Sequence, residues 1–331
     1  MTTSYTPSPS TSDVARVHYH GTGGALFGLM FTNLLLTIVT VGIYQFWGRN
    51  KIRQFHYSNT EMDGDRFGYH GTGAELLRGW MKMVGVFFVI GIIYSILMIL
   101  FGATGKNPDP AAAGMLALAL QLMVWFIIGV AINGARRYRF SRSSFRGIRF
   151  AYRGKVLEFL GISAASYMLT FMTLGFYSAW GSEMRREFLV NHVRYGSEPF
   201  IYEKNPRRLF DAWLKALLLT PFTIGLSWVW YAAFLHRHQW GNTTMRGGRF
   251  VSTVSGGGML SLAFTNVLLV IFTLGIGTPW ALTRAFQYHL DNLTLVGKVD
   301  WESINQQTAA AGASLSEGVA DSFNVDIGIG L

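Results

Sequence analysis

The chain has 331 residues; half are hydrophobic, 14% are charged, and mean hydropathy is +0.28. So low a charged share excludes an ordinary soluble globular domain and points to a bilayer. The formal charge of +10 is then read as basic residues held on the cytoplasmic side against anionic lipid, not as a nucleic-acid surface. With no Cys, disulfides, thiol chemistry and Cys-ligated metals are excluded.

Residues 1–16 are polar and are expected to be a disordered tail, without the apolar core of a cleavable signal. The remainder falls into five units of about 50 residues. YHGTG occurs at 19–23 and again at 69–73, and FAYRG, FIYEK and FVSTV begin at 150, 200 and 250. The unit bounds are 17–66, 67–149, 150–199, 200–249 and 250–300, followed by a low-complexity tail over 301–331. Each unit opens on a short alternating stretch that predicts a strand. An apolar run of about 25 residues follows, long enough to cross a bilayer once. A basic interfacial segment comes next, then a hairpin turning on Gly64, Gly147, Gly247 or Gly297.

The apolar runs lie near 23–47, 83–102, 112–134, 156–180, 209–235 and 258–283. The predicted class is therefore an α-helical polytopic membrane protein, with about six apolar segments in five repeats and small β-hairpin elements at the membrane surface. Straight spans are favoured. The alternative is a pair of half-helices that enter and return, since seven basic residues between Arg185 and Lys215 fall where strict alternation would put them outside. Asn33, Ser166 and Asn266 in mid-run, and Pro221 in a fourth run, mark where such a return would turn.

TVGIYQFW, TLGFYSAW, TIGLSWVW and TLGIGTPW close four of the runs. Their Gly42, Gly175, Gly225 and Gly275, with Trp47, Trp180, Trp230 and Trp280, are read as architectural: glycine for a bend or close crossing, tryptophan for the headgroup layer. Asn33, Ser166, Asn266 and Lys215 form a candidate polar path with the near-terminal acids Glu75, Glu158 and Asp211, which Arg78, Lys82 and Arg208 are placed to pair. The HxH pairs His18/His20 and His236/His238 are too few to hold a metal unless His70 or His289 converges on them. No catalytic motif, cofactor site or metal site is expected, and the chain is not expected to be an enzyme.

Residues 31–80, FTNLLLTIVTVGIYQFWGRNKIRQFHYSNTEMDGDRFGYHGTGAELLRGW, resemble the YjgN-like family of bacterial inner-membrane proteins, a family defined by a domain of unknown function. The likeness lies in the T-x-G-[IFL]-x-x-x-W pattern, the basic segment after it and the F-x-Y-x-G strand, over about residues 17–300. The last unit departs from it, with Gly277 where the first has a tyrosine. The resemblance implies a multi-pass protein of the bacterial inner (plasma) membrane and brings no substrate or catalytic residues. Two functions follow as expectations: a transporter or channel for a small solute or ion, or a membrane scaffold that binds anionic lipid headgroups. The chain could also form a homo-oligomer, and no nucleic-acid partner is expected.

Overall fold

Ten short strands close into an antiparallel barrel in a computed structural model that describes residues 14–104, 109–301 and 304. The strands are β1 (Val14–Tyr19), β2 (Thr60–Met62), β3 (Asp65–Tyr69), β4 (Ser143–Phe145), β5 (Ile148–Tyr152), β6 (Val193–Tyr195), β7 (Glu198–Tyr202), β8 (Thr243–Met245), β9 (Gly248–Ser252) and β10 (Leu293–Val296). Neighbours in sequence are neighbours in the sheet. The ring shuts where Val14, Ala15 and Arg16 of β1 pair with Val296, Leu295 and Thr294 of β10. Closure leaves no strand edge unpaired, which three- to six-residue strands need in order to persist. Three of the β turns are two-residue loops with both residues left-handed: Asp63–Gly64, Arg146–Gly147 and Arg246–Gly247. This geometry matches the strand twist. Gly297 follows β10, and no further strand comes after it among the described residues.

A helical pair joins β1 to β2, β3 to β4, β5 to β6, β7 to β8 and β9 to β10. Because the sheet is antiparallel, all five pairs leave from one rim of the barrel and the tight β turns lie at the other. The pairs are α1 (Gly23–Val39) with α2 (Gln45–Ser58), α3 (Gly73–Leu100) with α4 (Pro110–Arg142), and α5 (Val156–Met172) with α6 (Ser178–Asn191). They continue with α7 (Pro206–Thr223) and α8 (Ser227–Gly241), then α9 (Gly256–Phe272) and α10 (Thr278–Asp291).

The expected fold class is corrected on two counts. The β elements are a single closed barrel rather than small surface hairpins. And instead of six apolar segments of spanning length, two helices are long and apolar enough to cross a membrane, α3 and α4; α1, α5 and α9 are apolar but shorter. The reason is the glycine motif. The residue before each glycine is itself left-handed: Val41, Leu174, Ile224 and Leu274, all near φ +50°. The glycine N–H then bonds five residues back, to the carbonyls of Thr37, Thr170, Thr220 and Val270. Two successive left-handed residues end a helix and reverse the chain. The favoured straight span is thus cut into a 17- or 18-residue helix and a shorter polar one. At 1.5 Å per residue the first is about 25 Å long, short of a hydrocarbon core of about 30 Å. The break falls at the glycines and not at Asn33, Ser166 or Asn266, which sit inside regular helix; Pro221 lies in the last turn of α7.

At the N-terminus β1 takes in residues 14–16 of the expected tail, and the rest of that tail lies outside the described residues. At the other end, Trp301 and Ile304 pack on the barrel core, and residues 305–331 lie outside the described residues.

Candidate functional site: the barrel lumen and its mouth

Alternation along each strand turns one side chain in two toward the lumen. The register stacks these into layers. The middle layer consists of the paired residues Val17–Met62, Phe67–Phe145, Phe150–Tyr195, Phe200–Met245 and Phe250–Leu295. Phe67, Phe150, Phe200 and Phe250 follow one another around the wall with centroids 6.3–6.4 Å apart. Toward the helices comes a more polar layer: Tyr19–Thr60, Tyr69–Ser143, Tyr152–Val193, Tyr202–Thr243 and Ser252–Leu293. At the turn rim Trp301 lies edge-on to Phe145 and Tyr195. A cavity of about 120 Å³ remains inside, bounded by these layers and by Trp301.

The tyrosines explain the Y-x-G spelling. A Cβ at Gly21, Gly71 or Gly154 would stand 2.2–2.7 Å from the phenol of Tyr19, Tyr69 or Tyr152. The rings fold back over the chain, and the hydroxyls of Tyr19 and Tyr152, with that of Tyr202 in the same layer, reach the helices. Tyr19 bonds His56 Nδ1 at 2.7 Å, Tyr152 donates to Asn133 Oδ1 at 2.8 Å, and Tyr202 donates to Glu183 Oε1 at 2.8 Å. Burial pushes all three phenols up, Tyr152 to about 12, which keeps them neutral. Glu183, 1% exposed, also takes His238 Nε2 at 3.2 Å and the Asn205 N–H at 2.8 Å. Burial opposes its charge, but the bonds from His238, Asn205 and Tyr202 outweigh that and hold its carboxyl below the usual range.

The mouth is lined from the second helix of each pair. Arg53, Arg136, Arg186, His236 and Phe286 each stand seven residues before the strand that follows. Arg136 and Arg186 border the cavity, beside Phe140, Val190 and Trp240. His236 bonds Ser252 Oγ at 2.9 Å and lies against His289. Burial first, then the charges of His289, Arg186 and Arg237, pushes His236 down to about 4; burial does the same to His56, which stacks on Phe286 at 4.0 Å.

The sequence-derived polar path is not one path. Asn33 Nδ2 donates to the Gly48 carbonyl at 3.3 Å and Asn266 Nδ2 to the Ala281 carbonyl at 3.0 Å. Ser166 Oγ accepts from Arg185 at 2.6 Å. Each thus links the two helices of its own pair. In the fourth pair Ala216 takes that place, and Ser227 Oγ bonds its carbonyl at 2.8 Å. Glu75 caps α3 in a box with Thr72, and it binds Tyr138 and Arg142 of α4 rather than Arg78 or Lys82. Glu158, Asp211 and Lys215 are exposed. Of the HxH residues, His20 meets Glu61 and His238 meets Glu183; among the described residues no group of three His, Asp or Glu is gathered as a metal would need.

The motif tryptophans have a mechanical place. Trp47 lies against Gly73, Trp230 against Gly256 and Trp280 against Gly23, in each case at the first residue of the next pair's leading helix; Trp180 packs on Phe210 at 5.0 Å. Arg136 and Arg186 of the mouth were not singled out from sequence, although they and His236 stand 50 apart and in register with the strands.

A closed β-barrel bearing helical hairpins on one rim, with an apolar lumen under an arginine-lined mouth, defines the class of architecture. The chain belongs to the bacterial family of unknown function DUF898, which matches residues 14–226 and 216–322, and it is YjgN-like. It is 33% identical over 134 residues to inner membrane protein YjgN of Escherichia coli strain K12, and 34% identical over 134 residues to that of Escherichia coli O157:H7. To the Salmonella typhimurium protein of the same name it is 27% identical over 135 residues. These stretches cover 40–41% of this chain and 30% of each relative, so the chain spans under a third of the curated relatives it matches. No solved structure matches.

Proposed function

We propose that this is an inner-membrane protein that organises the bilayer from its cytoplasmic face, with α3–α4 crossing and the other four helical pairs inserted part-way. The observation that carries this reading is the hairpin tips. Val41, Leu174, Ile224 and Leu274 are 89–93% exposed, at the far end of helices whose outer faces are Leu, Ile, Phe and Met. Apolar residues so exposed call for a non-aqueous surround, and the leading helices are too short to reach the other side. Charge fits the same orientation: by sequence, Lys106 is the only Lys or Arg between Lys82 and Arg136. The names of the relatives agree with the location. Four part-depth wedges in one leaflet, with basic residues at the barrel side for anionic headgroups, suit a membrane-shaping scaffold. Transport of a small solute is the second reading. It is less favoured, because the mid-helix polar residues are bonded within their own pairs and aromatic side chains fill much of the lumen. No enzymatic role is part of this reading.

Single-Cys labelling on this Cys-free chain tests it. On intact cells an impermeant thiol reagent should reach Asp109→Cys from outside. Ser58→Cys and Ser197→Cys should react only after permeabilisation, and Val41→Cys and Leu274→Cys should resist in both conditions. Labelling of Val41→Cys from outside would mean that the short pairs cross, and the wedge reading would fall. Reconstituted into anionic vesicles, the protein should tubulate or fragment them. A variant with Ser at all four tips should leave them round.

A further inference from the structure

We propose that the barrel lumen binds a phosphomonoester carrying an apolar tail, the phosphate held at the mouth by Arg136 and Arg186 and the tail lying in the aromatic cavity. This inference stands apart from the membrane-shaping reading.

Arg136 is 6% exposed, and its Nε has no hydrogen-bond partner in the protein; the Nε of Arg186 has none either. The charged neighbours of Arg136 are more arginines, Arg186 and Arg139. Glu183 lies near Arg186 and offsets part of its charge, while its oxygens accept from Tyr202, His238 and the Asn205 N–H; it is not among the charged neighbours of Arg136. Burying a cation without a compensating partner is unfavourable, because its hydration is lost and nothing replaces it. Two like charges bordering one cavity therefore call for an anion from outside the chain. Two guanidinium groups match the −1.5 to −2 charge of a phosphomonoester at neutral pH, and guanidinium forks suit its oxygens.

The rest of the cavity says what the phosphate is attached to. Below the arginines the walls are Phe140, Val190, Phe150, Phe200 and Trp240, down to Trp301. A free inorganic ion would leave this surface wet. An alkyl tail removes it from water, and each buried CH₂ tightens binding. A volume of about 120 Å³ admits a short tail, or the first carbons of a longer one. The source can be a soluble organophosphate or a membrane lipid, since either carries the same group.

The test uses the full chain, delipidated in maltoside detergent. Melting is followed by tryptophan fluorescence and binding by calorimetry, with inorganic phosphate, butyl phosphate, lysophosphatidic acid and butanol as probes. Butyl phosphate should raise the melting temperature and bind at least tenfold more tightly than inorganic phosphate, and butanol should do nothing. Arg136→Met with Arg186→Met should abolish the shift and weaken binding at least tenfold. Without ligand this variant should still give a cooperative melt, which shows that it folds; Lys215→Gln should bind like the parent. Lysophosphatidic acid binding tenfold tighter than butyl phosphate assigns the site to a lipid; equal or weaker binding assigns it to a soluble ester. The proposal is overturned if neither ester binds, if inorganic phosphate binds as well as butyl phosphate, or if the double variant folds and still binds.

Discussion

Trp280, near the start of α10, lies so close to Gly23, the first residue of α1, that a Cβ on Gly23 would stand 2.3 Å from the indole. The last helical pair is thereby seated on the first, and the helical ring closes at the same seam as β1 and β10. Trp47 on Gly73 and Trp230 on Gly256 repeat the joint elsewhere in the ring. A glycine is required here for room, not for its dihedral freedom.

Gly73→Ala should destabilise the protein by about 1–3 kcal/mol, because the methyl would meet both the ring and the backbone of Trp47. Gly85→Ala, inside α3 with nothing within 4 Å of the added carbon, should be neutral or stabilise by up to about 1 kcal/mol. Thermal melts of the two variants in the same detergent decide it. Equal loss from both would mean that the tryptophan joint carries no strain.

The fold should weaken in mild acid. His56 and His236 are held near 4 by burial, against an ordinary value of about 6.5. Below pH 6.5 the unfolded chain takes up protons that the folded chain refuses until about pH 4. Stability is therefore whole above pH 6.5, falls as pH drops through that window, and levels below it. Each histidine adds a slope of about 1.4 kcal/mol per pH unit inside the window. Melting temperatures at pH 7.5 and 4.5 should separate widely for the parent. The gap should shrink in His56→Gln with His236→Gln, and an unchanged gap would sink the argument.

Glu183 should tolerate amide better than alanine. Glu183→Ala leaves the Tyr202 hydroxyl, His238 and the Asn205 N–H without their shared acceptor, and should cost about 3–5 kcal/mol. Glu183→Gln keeps an acceptor oxygen for part of the set and should cost less. Tyr202→Phe removes one donor and should cost about 1–3 kcal/mol. Denaturant titration of the three variants checks the order; a near-neutral Glu183→Ala would show that the network is dispensable.

The fifty-residue spacing, the glycine–tryptophan motif and the Y-x-G strands were all legible in the chain, because each is a local demand for a conformation, a space or a face. The family was legible from the same residues. The mistaken straight span also came from local reading. Residues 23–47 are apolar enough to look like one helix, and nothing in their hydropathy says that Val41 and Gly42 both turn left-handed. Asn33 looked like the break for want of its partner; with the Gly48 carbonyl beside it, it is ordinary helix.

By itself the sequence determined the membrane character, the strands that open each unit, the turns at Gly64, Gly147 and Gly247, and the residues that punctuate each helical pair, since composition and short-range sterics decide these; Gly297, expected to turn a hairpin, only follows β10. Only the tertiary structure decided that ten strands close into one barrel and that Trp280 finds Gly23. It alone brought Arg136 and Arg186 to one mouth above an aromatic lumen. Those are relations between residues far apart in the chain, set by register around a ring whose ends must meet. No local preference encodes which guanidinium will face which.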